Sequence, residues 1–383
     1  MKRTAGVAFV FLLTACGGGG VAPSTAPPPA AKSGSTIPVQ TGTLTAQGPY
    51  LYGTTSQNAL NVFSESGNVF VEQIQQAGCD QVLLMSLAFS PDRSLLYVAE
   101  SNDTTGSGPN QIGVLAASSN TFTGAIPIPA TYYQIHGLTS SADGKTLYVD
   151  MLTSNSEYDT MGFVDTTSGS LTGTLQMPSS YVAPFAVDLA NGLVYAAGTQ
   201  FLNAPNTSEA LIDVVDPGTR SVVKSFKLGG TTTKAEGPTF DAAGNLYVHY
   251  FNAFGSSSPL DEILVLDPTT GAQLATITRP NQNAPFGRTQ PTMLITSANR
   301  LYVTNGNAID VFDLNNNRSL AATISIPDSV YDSGMALNAS QSTLYLSAGK
   351  YVYVISTQAN AITGKFLVSP TYPQYTQNYL AAQ

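Results

Sequence analysis

An apolar residue followed by tyrosine recurs seven times at the centre of an apolar run: Leu51-Tyr52, Leu96-Tyr97, Leu147-Tyr148, Val194-Tyr195, Leu246-Tyr247, Leu301-Tyr302 and Leu344-Tyr345. The tyrosines stand 45, 51, 47, 52, 55 and 43 residues apart. A unit of that size cannot bury its own apolar faces, so neighbouring copies must stack against one another. Polar turns precede most of the tyrosines, as in Phe89-Ser90-Pro91-Asp92, Ser141-Ala142-Asp143-Gly144 and Asp241-Ala242-Ala243-Gly244. A second turn follows, clearest in Val164-Asp165-Thr166-Thr167-Ser168-Gly169, Val215-Asp216-Pro217-Gly218 and Leu266-Asp267-Pro268-Thr269-Thr270-Gly271. Gly and Asp tolerate the positive φ of tight hairpins, so each unit reads as four strands, A to D, joined by short turns. No segment keeps a 3.6-residue apolar period, which argues against a βα repeat. The sequence therefore predicts an all-β, seven-bladed β-propeller of four-stranded antiparallel blades over 48–383. A pair of β-sandwiches would not require one template seven times.

Leu301-Tyr302-Val303-Thr304-Asn305 carries the letters of the YVTN repeat, and the span from about residue 48 onward resembles the YVTN-repeat, lactonase-like β-propellers. Tyr148-Val149-Asp150 and Tyr247-Val248-His249 are degraded copies. The resemblance implies the fold and leaves the function open, because such propellers include surface, binding and lactonase-like proteins.

The N-terminus reads as an address. Met1-Lys2-Arg3 is a basic start, and Ala5 to Leu13 is an apolar run too short for the roughly 20 residues of a membrane span. Leu13-Thr14-Ala15-Cys16 resembles the lipobox of bacterial lipoproteins. That resemblance implies a signal peptide over 1–15, cleavage before Cys16, lipidation of Cys16 and anchoring in the bacterial cell envelope. Gly17 after the cysteine implies the outer membrane in a Gram-negative host. Residues 16–47, with Gly17–Gly20 and Pro27-Pro28-Pro29, cannot bury enough apolar surface to fold and read as a tether. With Cys16 acylated, Cys79 has no partner for a disulfide and reads as a packing residue.

Ring closure turns on which segment completes blade 1. The first unit opens on its B strand at Tyr50–Gly53, and two segments compete for its missing strand A. They are the C-terminal Gln374–Ala381, which is favoured, and Thr41–Thr45.

The D–A and B–C loops share one face of a propeller. B–C loops read long in blades 2 to 5 (Ser101–Gln111, Leu152–Thr160, Thr199–Glu209, Tyr250–Asp261) and short in blades 6, 7 and 1. Long loops are where binding concentrates. The D–A segments bring a mixed polar set to the same face: Tyr133, Gln134 and His136, Tyr181, Lys234 and Glu236, Arg288 and Gln290, and Tyr331 and Asp332. Both charge signs and several aromatics suit a small polar ligand; solvated groups at a channel mouth are the plainer reading.

The chain carries 24 acidic and 15 basic residues for a net charge of −9, so no basic stripe is present to neutralise phosphates, and nucleic acid is excluded as a partner. No phosphate loop, zinc spacing, EF-hand run or nucleophile elbow occurs, so neither a metal nor a cofactor is expected. Glu236-Gly237-Pro238 resembles the metal-binding segment of calcium-dependent gluconolactonases, without the Asn and Asp partners those enzymes place on other blades. His136-Gly137 resembles the histidine loop of lactonase-like propellers, without its Arg-Glu pattern. The sequence thus points to a lipid-anchored extracytoplasmic module that binds a small polar ligand or an envelope protein. The alternative is a lactonase-like or metal-assisted hydrolase working at the channel mouth.

Overall fold

The computed structural model describes residues 48–383 except 55–58, 75–81, 103–109, 154–157, 180–184, 203–206, 231, 253–259, 280–292, 329, 331–333 and 369–378. Its 28 strands form seven separate four-stranded antiparallel sheets, each in the order A-B-C-D. Blade 6 shows the pattern: Met293–Ile295, Arg300–Asn305, Ala308–Asp313 and Ser319–Ser325. There is no helix among the described residues. This is a seven-bladed β-propeller.

Blade 1 is the exception in chain order, and it closes the ring. Its strand A is Leu380–Ala382, whose Leu380, Ala381 and Ala382 pair with Gly53, Tyr52 and Leu51. The C-terminal segment therefore supplies the missing strand; 374–378 of the expected Gln374–Ala381 lie outside the described residues. Thr41–Thr45 lies outside the described residues, as do the expected signal peptide (1–15), Cys16, the expected tether (16–47) and Cys79.

Buried side chains occupy successive positions along the B and C strands, as in Leu301-Tyr302-Val303 and Val352-Tyr353-Val354, so the sheets are apolar on both faces and must be covered twice. The buried residues accordingly form seven clusters, one at each boundary between neighbouring blades. Tyr302, Ile309 and Val311 of blade 6, for example, meet Met335, Leu344 and Leu346 of blade 7.

The recurring tyrosine is an inter-blade latch. Tyr52 Oη donates to Asn120 Oδ1 at 2.7 Å, and Tyr195 Oη to Pro268 O at 3.1 Å. Tyr302 Oη bonds Thr357 O and Asn360 Oδ1 at 3.1 and 2.9 Å. Tyr247 accepts from Arg318 and Tyr345 donates to Glu65, while the Tyr97 hydroxyl stands near the Thr166 side chain. In each case the partner lies in or beside the C–D turn of the next blade. Tyr148 has no such partner among the described residues.

The turns and outer edges repeat as faithfully. Every C–D turn holds a left-handed residue, such as Asn120 (φ 52°), Gly169 (φ 61°) and Asn360 (φ 49°), which Asn and Gly adopt at little cost. Every D strand slips register by one residue against strand C at the same place. The resulting bulge twists the exposed edge away from pairing with another chain.

Candidate functional site

The inner strands differ in length, and that difference shapes the D–A/B–C face. Strand A runs eight or nine residues in blade 2 (Val82–Phe89), blade 3 (Tyr132–Ser140) and blade 5 (Thr233–Phe240). In blades 4, 6, 7 and 1 the part of strand A among the described residues is two or three residues long, beginning at Ala186, Met293, Met335 and Leu380. Gln134, His136, Lys234 and Glu236, expected in D–A loops, instead lie within the long inner strands of blades 3 and 5. All four are half-buried. Tyr181, Arg288, Gln290, Tyr331 and Asp332 fall outside the described residues, and Tyr133 is described only as part of its strand.

All three long inner strands are bulged. In blade 3, Ile135 faces Met151 and Gly137 faces Asp150, so His136 is the extra residue between them. Met85 takes the corresponding place in blade 2, and blade 5 slips between Glu236 and Thr239. A bulge re-aims its side chain and interrupts the pairing, a device common beside functional sites. Ser101 of blade 2 fixes the blade 3 bulge, accepting from Ile135 N at 2.7 Å and donating to Ile135 O at 3.1 Å.

His136 Nε2 lies 3.1 Å from Gln134 Oε1. The amide oxygen can only accept, so Nε2 carries the proton and Nδ1 offers a lone pair. Burial pushes the imidazole down to about 4, which keeps it neutral at pH 7. Lys234 and Glu236 stand two residues apart on one side of their strand, with buried Ala235 on the other. The two sets flank blade 4, whose inner strand is only Ala186–Val187.

The loops partly match expectation. The B–C connections span 103–110, 154–159, 202–207 and 253–260 in blades 2 to 5, against 306–307 and 349–350 in blades 6 and 7. Blade 1 (55–59) is closer to blades 3 and 4 than the sequence suggested. The blade 4 hairpin is built from eight- and nine-residue strands and carries half-exposed Phe201 and Leu202 at its tip.

Neither a family model nor a curated protein matches this chain. Solved structures do. A protein of unknown function from Desulfotomaculum acetoxidans is similar with a TM-score of 0.62 at 16% identity, over 88% of this chain and 99% of that one. Hydrazine synthase of Kuenenia stuttgartiensis gives 0.61 at 13% identity, over 88% and 99%. The dihydro-heme d1 dehydrogenase NirN, solved in complex with DHE, gives 0.56 at 12% identity. That match covers 84% of this chain and 64% of NirN, so this chain spans under two thirds of NirN's length. These likenesses establish the fold.

Two buried ionic groups on the same face escaped the sequence reading. In blade 5, Asp261 takes a 2.8 Å bond from His249 Nε2, and Arg279 grips both of its oxygens at 2.8 Å. All three are at most 5% exposed, and Arg279 also reaches Thr304 O of blade 6. Burial alone would raise the Asp261 carboxyl, but the bonds and charges of His249 and Arg279 hold it below its ordinary range. In blade 3, Asp150 and Asp159 are each 1% exposed. The YVTN letters have a structural job as well: Asn305 donates to Asp310 Oδ2 at 2.6 Å across the short B–C turn. Among the described residues no group of three or more His, Cys, Asp and Glu side chains is arranged to hold a metal.

Proposed function

We propose that this chain is a lipid-anchored, extracytoplasmic propeller of the YVTN-repeat kind that binds a small polar ligand or an envelope protein on its D–A/B–C face. The observation that carries the reading is the bulged inner strand of blade 3. It presents a neutral, half-buried His136 bonded to Gln134, with an acceptor nitrogen left for a partner. Lys234 and Glu236 add one charge of each sign from blade 5. The opposite face supports the same assignment from the other side. Its aspartates are occupied within their own turns, Asp165 Oδ1 accepting from Ser168 N at 2.7 Å and Asp267 Oδ1 from Thr270 N at 2.8 Å. Cys16, after Leu13-Thr14-Ala15, supplies the anchor and places the propeller in the bacterial envelope, on the outer membrane if the host is Gram-negative.

Two measurements test the proposal. Metabolic labelling with a fatty acid should mark the wild type and fail on Cys16→Ser, and label retained by the variant would refute the anchor. A thermal-shift screen of sugars, amino acids and short peptides should return compounds whose effect is lost in His136→Ala or Glu236→Gln. Those effects should survive in Asp165→Ala and Asp267→Ala, and the opposite pattern would move the site to the other face.

A further inference from the structure

Blades 3 and 5 place ionisable side chains at the same two points of the repeat. Asp150 pairs across the sheet with Met161, as His249 does with Ile263. Asp159 and Asp261 each stand two residues before that partner. In blade 5 the third corner is Arg279, two residues beyond Ile277, which faces Ile263. The corresponding residue of blade 3, two beyond Leu175, is Met177, and it is buried. Blade 5 thus carries a carboxylate with its own guanidinium, whereas blade 3 carries two carboxylates and a thioether.

The blade 3 pair sits where blades 3 and 4 meet. Tyr148 packs with Phe185 and Val194 of blade 4, and Asp150, two residues on, lies on the same side of its strand. Asp159 N donates to Ser179 O at 3.3 Å, and Ser179 Oγ donates to Asp213 Oδ2 of blade 4 at 3.0 Å. Among the described residues neither oxygen of Asp150 has a hydrogen-bond partner, although the residue is 1% exposed. Buried carboxylates are ordinarily paired, hydrogen-bonded or bound to a metal.

We propose that Asp150 and Asp159 hold a calcium-type divalent cation between blades 3 and 4. The cation would supply the positive charge that Arg279 supplies in blade 5. An all-oxygen carboxylate pair suits a hard cation, and calcium accepts irregular sets of carboxylate and carbonyl oxygens where magnesium keeps its waters. Zinc would prefer nitrogen or sulfur donors. The Asp150 carboxyl is held well above its usual range, first by burial and then by the charge of Asp159, which is the cost a bound cation would remove.

Calorimetry with calcium chloride on the purified full-length protein, freed of metal by a chelator, tests this together with melts at zero and about 1 mM calcium. The expected result is one binding event per chain and a melting temperature raised by about 5 °C. Asp150→Asn should lose both while melting, in chelator, no lower than the wild type. Asp159→Ser should lose both as well, and it serves should Asp150→Asn fail to fold. Asp165→Asn, in an exposed turn, should keep both. Absence of heat and shift in the wild type would overturn the proposal, as would a calcium response surviving in both site variants. Stabilisation by Asp150→Asn without any calcium response in the wild type would mean the two carboxyls share a proton instead, and would also overturn it.

Discussion

Tyr345 Oη lies 3.4 Å from Glu65 Oε2, joining blade 7 to blade 1 across 280 residues of chain at the seam that closes the ring. The other carboxyl oxygen of Glu65 is buried with no hydrogen-bond partner among the described residues. Burial raises this carboxyl from 4.5 to about 7, against the opposing pull of Tyr345, Arg93 and the Gln383 backbone. A raised carboxyl means the folded state binds its proton more tightly than the unfolded chain does. Its contribution to stability is therefore full below about pH 4.5 and is lost as pH rises through about 7. Glu65→Gln should flatten that slope, leaving the variant more resistant to urea than the wild type at pH 8 but not at pH 5. Urea midpoints at the two pH values check the sign.

The latch tyrosines should not be equivalent. Tyr302→Phe removes bonds to Thr357 O and Asn360 Oδ1 and should cost about 1–2 kcal/mol. Tyr148 is as deeply buried but has no partner among the described residues, so Tyr148→Phe should stay within about 0.5 kcal/mol of the wild type. Denaturant unfolding of the two variants side by side gives the comparison.

Removing residues 379–383 takes away strand A of blade 1 and exposes the edge at Leu51 and Tyr52. It also removes the bonds from Gln383 N to Tyr50 O at 2.8 Å and from Arg93 to Ala382 O at 3.0 Å. Losing buried Leu380, Ala381 and Ala382 should cost about 3–5 kcal/mol and lower the melting temperature by roughly 10 °C. An unchanged melt would assign ring closure to another segment.

The repeat was legible because its tyrosine does the same chemical work at nearly every blade, and because Asn, Asp and Gly mark turns that need a left-handed backbone. The closing strand was legible in part: blade 1 begins on its B strand, so a strand A had to come from elsewhere, and closure by both ends resists fraying, which favours the C-terminal segment over Thr41–Thr45. His136 and Glu236 were placed in loops because bulges break the period-2 pattern by which a strand is recognised. The ionic groups of blades 3 and 5 were missed for a different reason. Asp150 and His249 sit in apolar strands, and their partners come 9 to 30 residues later with no local spacing rule. The one sequence signal was the position they share, after Tyr148-Val149 and Tyr247-Val248, and it acquires meaning only once the strand register is known.

Arg279 should be indispensable where Met177 is tolerated. Arg279→Met leaves Asp261 buried with His249 alone and should cost about 3–5 kcal/mol, the usual penalty for removing one partner of a buried pair. Adding Asp261→Asn should restore much of that loss, because the stranded charge goes with it. A double-mutant cycle in urea measures the coupling.

The assignment of function to the D–A/B–C face is tested most directly by hydrogen–deuterium exchange with a bound compound from the thermal-shift screen. Protection should concentrate in the inner strands 132–140 and 233–240, around His136 and Glu236. Protection confined to the C–D turns at 165–170 and 267–272, with those inner strands unchanged, would contradict it.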